Sequence, residues 1–424
     1  MKIPAKAADQ ARIISHRYCQ FIICTVMLVF MACPAEGLDL TVASRQIFHY
    51  SRLPEALYNH LTEPAHTALL QSMNRLCLKE QHPWFVLRTE YELSSLYCDG
   101  NQLTANKNWS ASGFAPGYKK FASAADFLNA GRTNIKGQLE RFDFSFSMAG
   151  FDIQIGRQPV SFGTSHFISV IDVLTPSQPG YLDRSFKPGI DALRVRTLAG
   201  ITGEAELIFA AAPDNNDNAF IGRVRNTCNG FDLELTAGRF RQRNFFATGF
   251  EGERRRVTIW GELALFQRRN EEAVFGGFSN QMAFSWIAGA ERSTGHDWRH
   301  GLALMHQDFG ARSAGNLAEV ANTLPLKQGW VHTAGSDYLL INTERKMNPL
   351  TTLNVNIIHS LVDRSSLIQP QLNISTGNES DLAIFAWFNT GKKPEKTPNS
   401  LQIHSEFGGF SNGLGLIYRV YFNN

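Results

Sequence analysis

Residues 191–210 read DALRVRTLAGITGEAELIFA. Alternation at period two puts Leu193 and Val195 on one face of a strand and Arg194 and Arg196 on the other. Beyond the Gly-containing break, Ala205, Leu207 and Phe209 stand opposite in phase to Glu204 and Glu206. The stretch predicts a hairpin turning at Ala199–Thr202, with Arg196 facing Glu204 and Arg194 facing Glu206. One face is then ionic and paired, the other apolar, and the hairpin alone does not say which is inside.

The pattern recurs in GRVRNTCNGFDLELTAG (222–238), where Arg223 and Arg225 face Asp232 and Glu234 across a turn. From Trp84 onward the chain reads as seventeen short segments with alternating or β-rich content, the last GLGLIYRVYF. Helical segments between strands are missing from this region, so parallel crossovers are excluded and the sheet is antiparallel. Short breaks at 148–150, 198–203, 227–230, 251–253, 346–349 and 376–380 alternate with long ones at 99–136, 157–188, 211–217, 267–279, 309–335 and 390–399. Short turns at one rim and long loops at the other describe a transmembrane antiparallel up-and-down β-barrel. Termini on the same side require an even strand count. One further strand at LKQGWVHTAG (326–335) would give 18 strands, and one spurious segment 16.

Which face is lipid follows from composition. The apolar face holds Phe142, Phe144, Phe146, Phe151, Ile153, Ile155, Val257, Ile259, Leu263 and Leu265, a band suited to hydrocarbon. The lumen then receives a charge lattice of Arg157, Arg194, Arg196, Glu204, Glu206, Arg223, Arg225, Asp232 and Glu234, which either sets selectivity or stiffens the wall.

Over all 424 residues, 43% are apolar and 19% charged, with a net charge of +3 that excludes a nucleic-acid partner. Lys2, Lys6, Arg12 and Arg17 precede an apolar run from Phe21 to Ala32 and the small residues of CPAEG, the layout of a cleaved secretory signal over 1–37. No later apolar run reaches the roughly 18 residues of a membrane helix. Residues 38–83 are expected as an N-terminal helical segment, periplasmic or a plug, on the helical periodicity of 53–80, and 84–424 as the barrel. Cys77 and Cys98 either close a disulfide loop around the first strand candidate or remain two thiols. Cys/His spacing gives no metal site, and no cofactor is expected.

The connection GRQPVSFGTSHFISVIDVLTPSQPGYLDRSFKPGIDALRVR (156–196) is partly apolar, then rich in Pro and Gly. Long apolar loops pack on something or carry function. Folded into the mouth it would narrow the lumen, with Phe167, Ile171, Asp172, Asp183 and Arg184 as constriction candidates; folded outward it would be a surface flap.

Two further features carry a resemblance. Leu414, Leu416, Tyr418, Val420 and Phe422 share one face of the last strand, which resembles the C-terminal signal read by the barrel-assembly machinery, although Asn423 and Asn424 trail it. Gly156-Arg157-Gln158, Phe162-Gly163, Asp172, Pro176 and the Pro188–Ala192 re-entry look like the corresponding region of Gram-negative porin-like families, including those related to alginate export channels. That resemblance implies an outer-membrane channel with anion-binding arginines in the lumen, at positions comparable to Arg194, Arg196, Arg223 and Arg225; here each faces an acid. Its partners would be outer-membrane lipid, the assembly machinery and a hydrophilic solute or polysaccharide, and an oligomer is left open.

Two other functions compete. An outer-membrane hydrolase would draw on Ser165-His166 or His359-Ser360, but neighbours on a strand point to opposite faces. A structural or adhesive barrel would use loops 99–136 and 309–335 as binding surfaces.

Overall fold

The computed structural model describes residues 38–52, 66–99, 117–121, 123–130, 132–176, 186–269, 281–295, 297–397 and 401–423. The main antiparallel sheet is built from β1 (Leu38–Arg52), β2 (His66–His82), β3 (Phe85–Cys98), β4 (Ala124–Ala130), β5 (Thr133–Met148), β6 (Phe151–Gln158), β7 (Ile190–Ala199), β8 (Gly203–Ala210) and β9 (Ala219–Cys228). It continues with β10 (Phe231–Phe240), β11 (Arg243–Arg254), β12 (Val257–Gln267), β13 (Met282–Thr294), β14 (Trp298–Gln307), β15 (Asp337–Asn348), β16 (Thr351–Ser360), β17 (Ser366–Gly377) and β18 (Ser380–Thr390). A separate two-stranded ribbon, β19 (Glu395–Lys396) and β20 (Leu401–Gln402), precedes the last strand, β21 (Asn412–Asn423). Of the 19 strands in the main sheet, β4 lies only along β5; the other 18 pair in sequence, and β21 closes on β1 from Thr41↔Asn423 to Arg52↔Asn412. Closure leaves no edge with unpaired backbone, which a wall in lipid requires.

Alternation decides the two faces. Phe142, Leu207, Phe220, Leu233, Leu263 and Leu302 stand exposed on the outside, while their neighbours in the chain turn inward. Tight turns at one rim include Ala149-Gly150, Asn229-Gly230 and Arg255-Arg256, each with both residues at positive φ, the geometry that matches strand twist in two-residue hairpins. Among the described residues no helix is long and apolar enough to cross a membrane.

In the opening hairpin, β7 runs on to Ala199 and pairs it with Gly203, so Arg196 lies opposite Glu206 and Leu198 opposite Glu204. The register differs by two residues from the one expected. A two-residue shift preserves the faces, so the ionic side stays ionic.

Three expectations are corrected. Residues 66–82 form β2, not a helix, and with β1 they belong to the barrel; 53–65 lie outside the described residues, as do 1–37. The helical periodicity misled because β2 is apolar on both faces: Leu70, Leu76 and Leu78 point outward while Leu69 and Met73 pack inward, Met73 with Ile47, Phe385 and Ile417. Adding β1 and β2 and removing SLQIHSEF, of which only Leu401–Gln402 is strand, turns seventeen candidates into 18. LKQGWVHTAG is not a strand. Short helices lead into it, α1 (Leu317–Val320) and α2 (Leu324–Lys327), and from Gln328 on it is turn and irregular chain.

Cys77 and Cys98 are not joined. Register puts Cys77 opposite Glu90 and Cys98 opposite Leu69, eight residues from Glu90 along the same strand. At about 3.3 Å per residue that distance far exceeds the roughly 7 Å limit for a disulfide.

Candidate functional site in the lumen

The arginines and glutamates on the inner faces of β7–β10 form a connected lattice. Glu206 lies at its centre, its side chain fully buried, paired with Arg194 and at 2.5 Å with Arg223. Arg223 also approaches Glu204 at 3.7 Å and Glu234 at 4.0 Å, and Arg225 meets Glu234 at 3.6 Å. Three sequence candidates fall outside it. Arg196 has no ion pair among the described residues although it faces Glu206. Asp232 sits near the turn and accepts from Thr227 Oγ1 at 2.6 Å. Arg157 forms a separate buried fork on Asp191, at 2.7 and 2.9 Å, and donates to the carbonyls of Leu139 and Phe121. It ties the end of β6 to Phe121 and Leu139 and is not an open lumen charge.

The lattice holds a loop. Arg223 donates to Ser161 O at 3.0 Å, its guanidinium lies 5.4 Å from the Phe162 ring, and Gly163 N donates to Glu234 at 3.3 Å. Residues 159–176 therefore enter the barrel instead of lying outside as a flap. Their anchor is Glu262, an inward residue of β12 that sequence reading missed. One of its carboxylate oxygens accepts from Thr164 N (2.6 Å) and Ser165 N (2.7 Å), the other from Ser169 Oγ (3.0 Å) and Val170 N (2.8 Å). Gly163 makes the entry turn at φ +93°, where any Cβ would strike Ser169 and Glu262. Val160, Phe162, Ile168, Ile171 and Leu174 are then buried against Ile208, Ile221, Ala247 and Trp260 of the wall.

Of the constriction candidates, Ile171 is fully buried and acts as packing. Asp172 is paired with Lys187 and accepts from Thr175 N at 3.3 Å. Phe167 reaches the open space, its ring 5.9 Å from that of Trp260. Asp183 and Arg184 lie outside the described residues. Beside Phe167 the imidazole of His166 bridges two wall carboxylates, Glu291 at 3.1 Å and Glu251 at 2.9 Å. Its hydrogen bond to Glu291, reinforced by Glu251 and opposed by partial burial, pushes its pKa up to about 8.

A second connection, 308–336, also enters the lumen. Trp330 packs edge-on against Phe240 (5.6 Å between centroids) and Phe309 (4.9 Å), with the Arg243 guanidinium 4.6 Å from its ring. His332 Nε2 lies 3.2 Å from Ser169 O, so the two loops touch. Glu406, from the last long connection, accepts from Ala334 N at 2.8 Å and from the Tyr338 hydroxyl. Burial raises the Glu406 pKa. Residues 309–311 and 329–335 are thus mostly buried, whereas 312–328 keep most of their exposed positions and remain accessible as a surface.

The loops border a cavity of about 480 Å³ between the tip His166–Ile168 and the inner faces of β13–β17. Its wall is amide: Asn342, Asn354, Asn356, Gln369, Gln371 and Asn373. The signal was present in LNVNIIHS and QPQLNIST, where amides alternate at period two with apolar residues.

Neither hydrolase pair is assembled. His166 is held by carboxylates, and Ser165 Oγ accepts from Phe167 N at 3.3 Å. His359 contacts Ser366 at 2.8 Å, not Ser360, and no acid orients it among the described residues. The described residues also hold no cluster of metal-ligating side chains.

Neither a family model nor a curated relative matches the chain. Solved structures do. A BenF-like porin from Pseudomonas fluorescens Pf-5 superposes with TM-score 0.57 at 9% identity, covering 92% of this chain and 99% of that one. OccAB1 of Acinetobacter baumannii gives 0.55 at 7% identity with 92% and 97% covered, and Pseudomonas aeruginosa OpdK, solved with vanillate, 0.53 at 9% with 92% and 99%. At such identities the likeness establishes a shared fold over nearly the whole chain.

Proposed function

We propose that this chain is an outer-membrane channel that passes small hydrophilic solutes through a lumen narrowed by its own loops. The observation that carries the reading is the seating of residues 159–176 on Glu262 and the Arg223–Glu234 lattice, opposite a wall of amides. An apolar exterior, a polar interior and a constriction fixed to the wall are what selective diffusion needs. The fold shared with porins supports the same reading. Residues 1–37 would direct export and be removed, and β21 would present the assembly signal.

The lattice braces more than it selects. Glu206, Glu204 and Glu234 neutralise Arg194, Arg223 and Arg225, so weak anion selectivity is expected. The alginate-export likeness of 156–192 would extend the reading to polymeric solutes, whereas the inward loops favour short ones.

The mature protein in a planar bilayer should conduct, with reversal potentials at unequal salt close to those of a weakly selective pore. A protein correctly inserted that never conducts overturns the proposal.

A further inference from the structure

We infer that the amide-walled cavity is a binding site for a neutral polyhydroxylated solute, a sugar or polyol. This rests on the channel reading and specifies what the channel takes. The six amides occupy three adjacent strands in register: Asn342 faces Asn356, Asn356 faces Gln369, and Asn354 faces Gln371. Rows repeat at about 4.8 Å across strands and about 6.7 Å along them, a grid of donors and acceptors on one flat wall.

Their mutual bonds use only part of their capacity. The NH₂ of Asn342 donates to Asn356 at 2.7 Å and Asn354 at 3.2 Å, and that of Gln371 to Asn373 at 2.7 Å. Each amide offers two donors and two lone pairs, so the NH₂ groups of Asn354, Asn356 and Asn373 remain available to a guest. Hydroxyls, which both donate and accept, match such a grid; a carboxylate accepts only.

Charge argues the same way. The cations beside the cavity are already committed, Arg299 to Glu344 at 2.9 Å and His166 to Glu291 at 3.1 Å. An anionic guest would meet cationic groups whose charge is already balanced by carboxylates. One inward row from Asn342 and Asn356 the lining turns apolar, with Leu340 opposite Ile358 and Phe167 from the loop, and suits the C–H face of a ring. Its volume lies within the roughly 300–1,000 Å³ typical of small-molecule sites.

The test uses the full mature protein in planar bilayers, with ion current recorded while glucose, maltose or gluconate is added. Wild type should show saturable, reversible block by the neutral sugars, at concentrations at least about tenfold below any block by gluconate. Asn354→Leu combined with Gln371→Leu should raise the half-blocking sugar concentration about tenfold while open-channel current persists, the loss expected for one or two hydrogen bonds. Asn354→Ser, which keeps a hydroxyl donor and acceptor, should retain much of the block and guards against misreading a folding defect. Absence of any current in wild type would defeat the channel reading itself. Current that sugars leave unchanged, or that gluconate blocks more strongly, overturns this inference and leaves the channel standing.

Discussion

The Glu262 carboxylate lies 2.6 Å from the amide nitrogen of Thr164, a residue 98 positions earlier in the chain. A wall residue thus gathers four loop donors on one side chain that is only 4% exposed. Glu262→Gln replaces one acceptor oxygen with an NH₂ group and turns two accepted bonds into donor–donor contacts. Hydrogen bonds to charged groups are worth about 1.5–3 kcal/mol each. The loop, not the barrel, should release. Single-channel conductance should rise, and limited proteolysis should cut within 159–176, with barrel heat-modifiability unchanged.

Gly163 predicts a similar outcome by a different route. Gly163→Ala forces a left-handed φ on a residue with a side chain and drives its Cβ into Ser169 and Glu262. The turn should open and conductance should rise as for Glu262→Gln. Gly150, also at positive φ but with no atom within 4 Å of a Cβ, provides the control: Gly150→Ala should leave conductance alone.

His166 makes the constriction sensitive to pH. Its folded pKa is raised to about 8, above the ordinary value of 6.5, so the protonated form is favoured in the folded loop. The stabilisation is complete below about 6.5 and is lost as pH climbs through 8. Loop-tip fluctuations, seen as current noise, should therefore increase between pH 7 and 9 in wild type. His166→Gln should show raised noise at all pH values, without the transition.

How much of this was legible in the sequence depends on the face concerned. Where one face is apolar and the other carries charge, as in β7–β10, alternation is strong and the strands and their faces read correctly. Register was off by two at Ala199–Gly203, because the turn's length is set by the positive φ of Gly200 and not by the alternation. β2 was lost because inward Leu69 is buried and Met73 meets an apolar cluster, which erases period two. Glu262 was invisible for another reason: in TIWGELALF it reads as one more inward charge, and its partners lie in a distant loop.

The lattice yields the final prediction. Glu206 neutralises two arginines, Arg194 and Arg223, whereas Arg225, with 44% of its side chain exposed, pairs among the described residues with Glu234 alone. Glu206→Gln leaves both buried guanidinium groups undercompensated, which costs stability and places positive charge on the wall. Reversal potentials in unequal salt should move toward anions, and the melting temperature should fall. Arg225→Gln removes a half-exposed charge and leaves Glu234 to Arg223 and Gly163 N, so it should shift the reversal potential slightly toward cations and lower the melting temperature less than Glu206→Gln does. If Glu206→Gln altered stability but not selectivity, the lattice would be a brace alone. If it altered selectivity as strongly as a free lumen charge would, the arginines of β7 and β9 would also be part of the path the ions take.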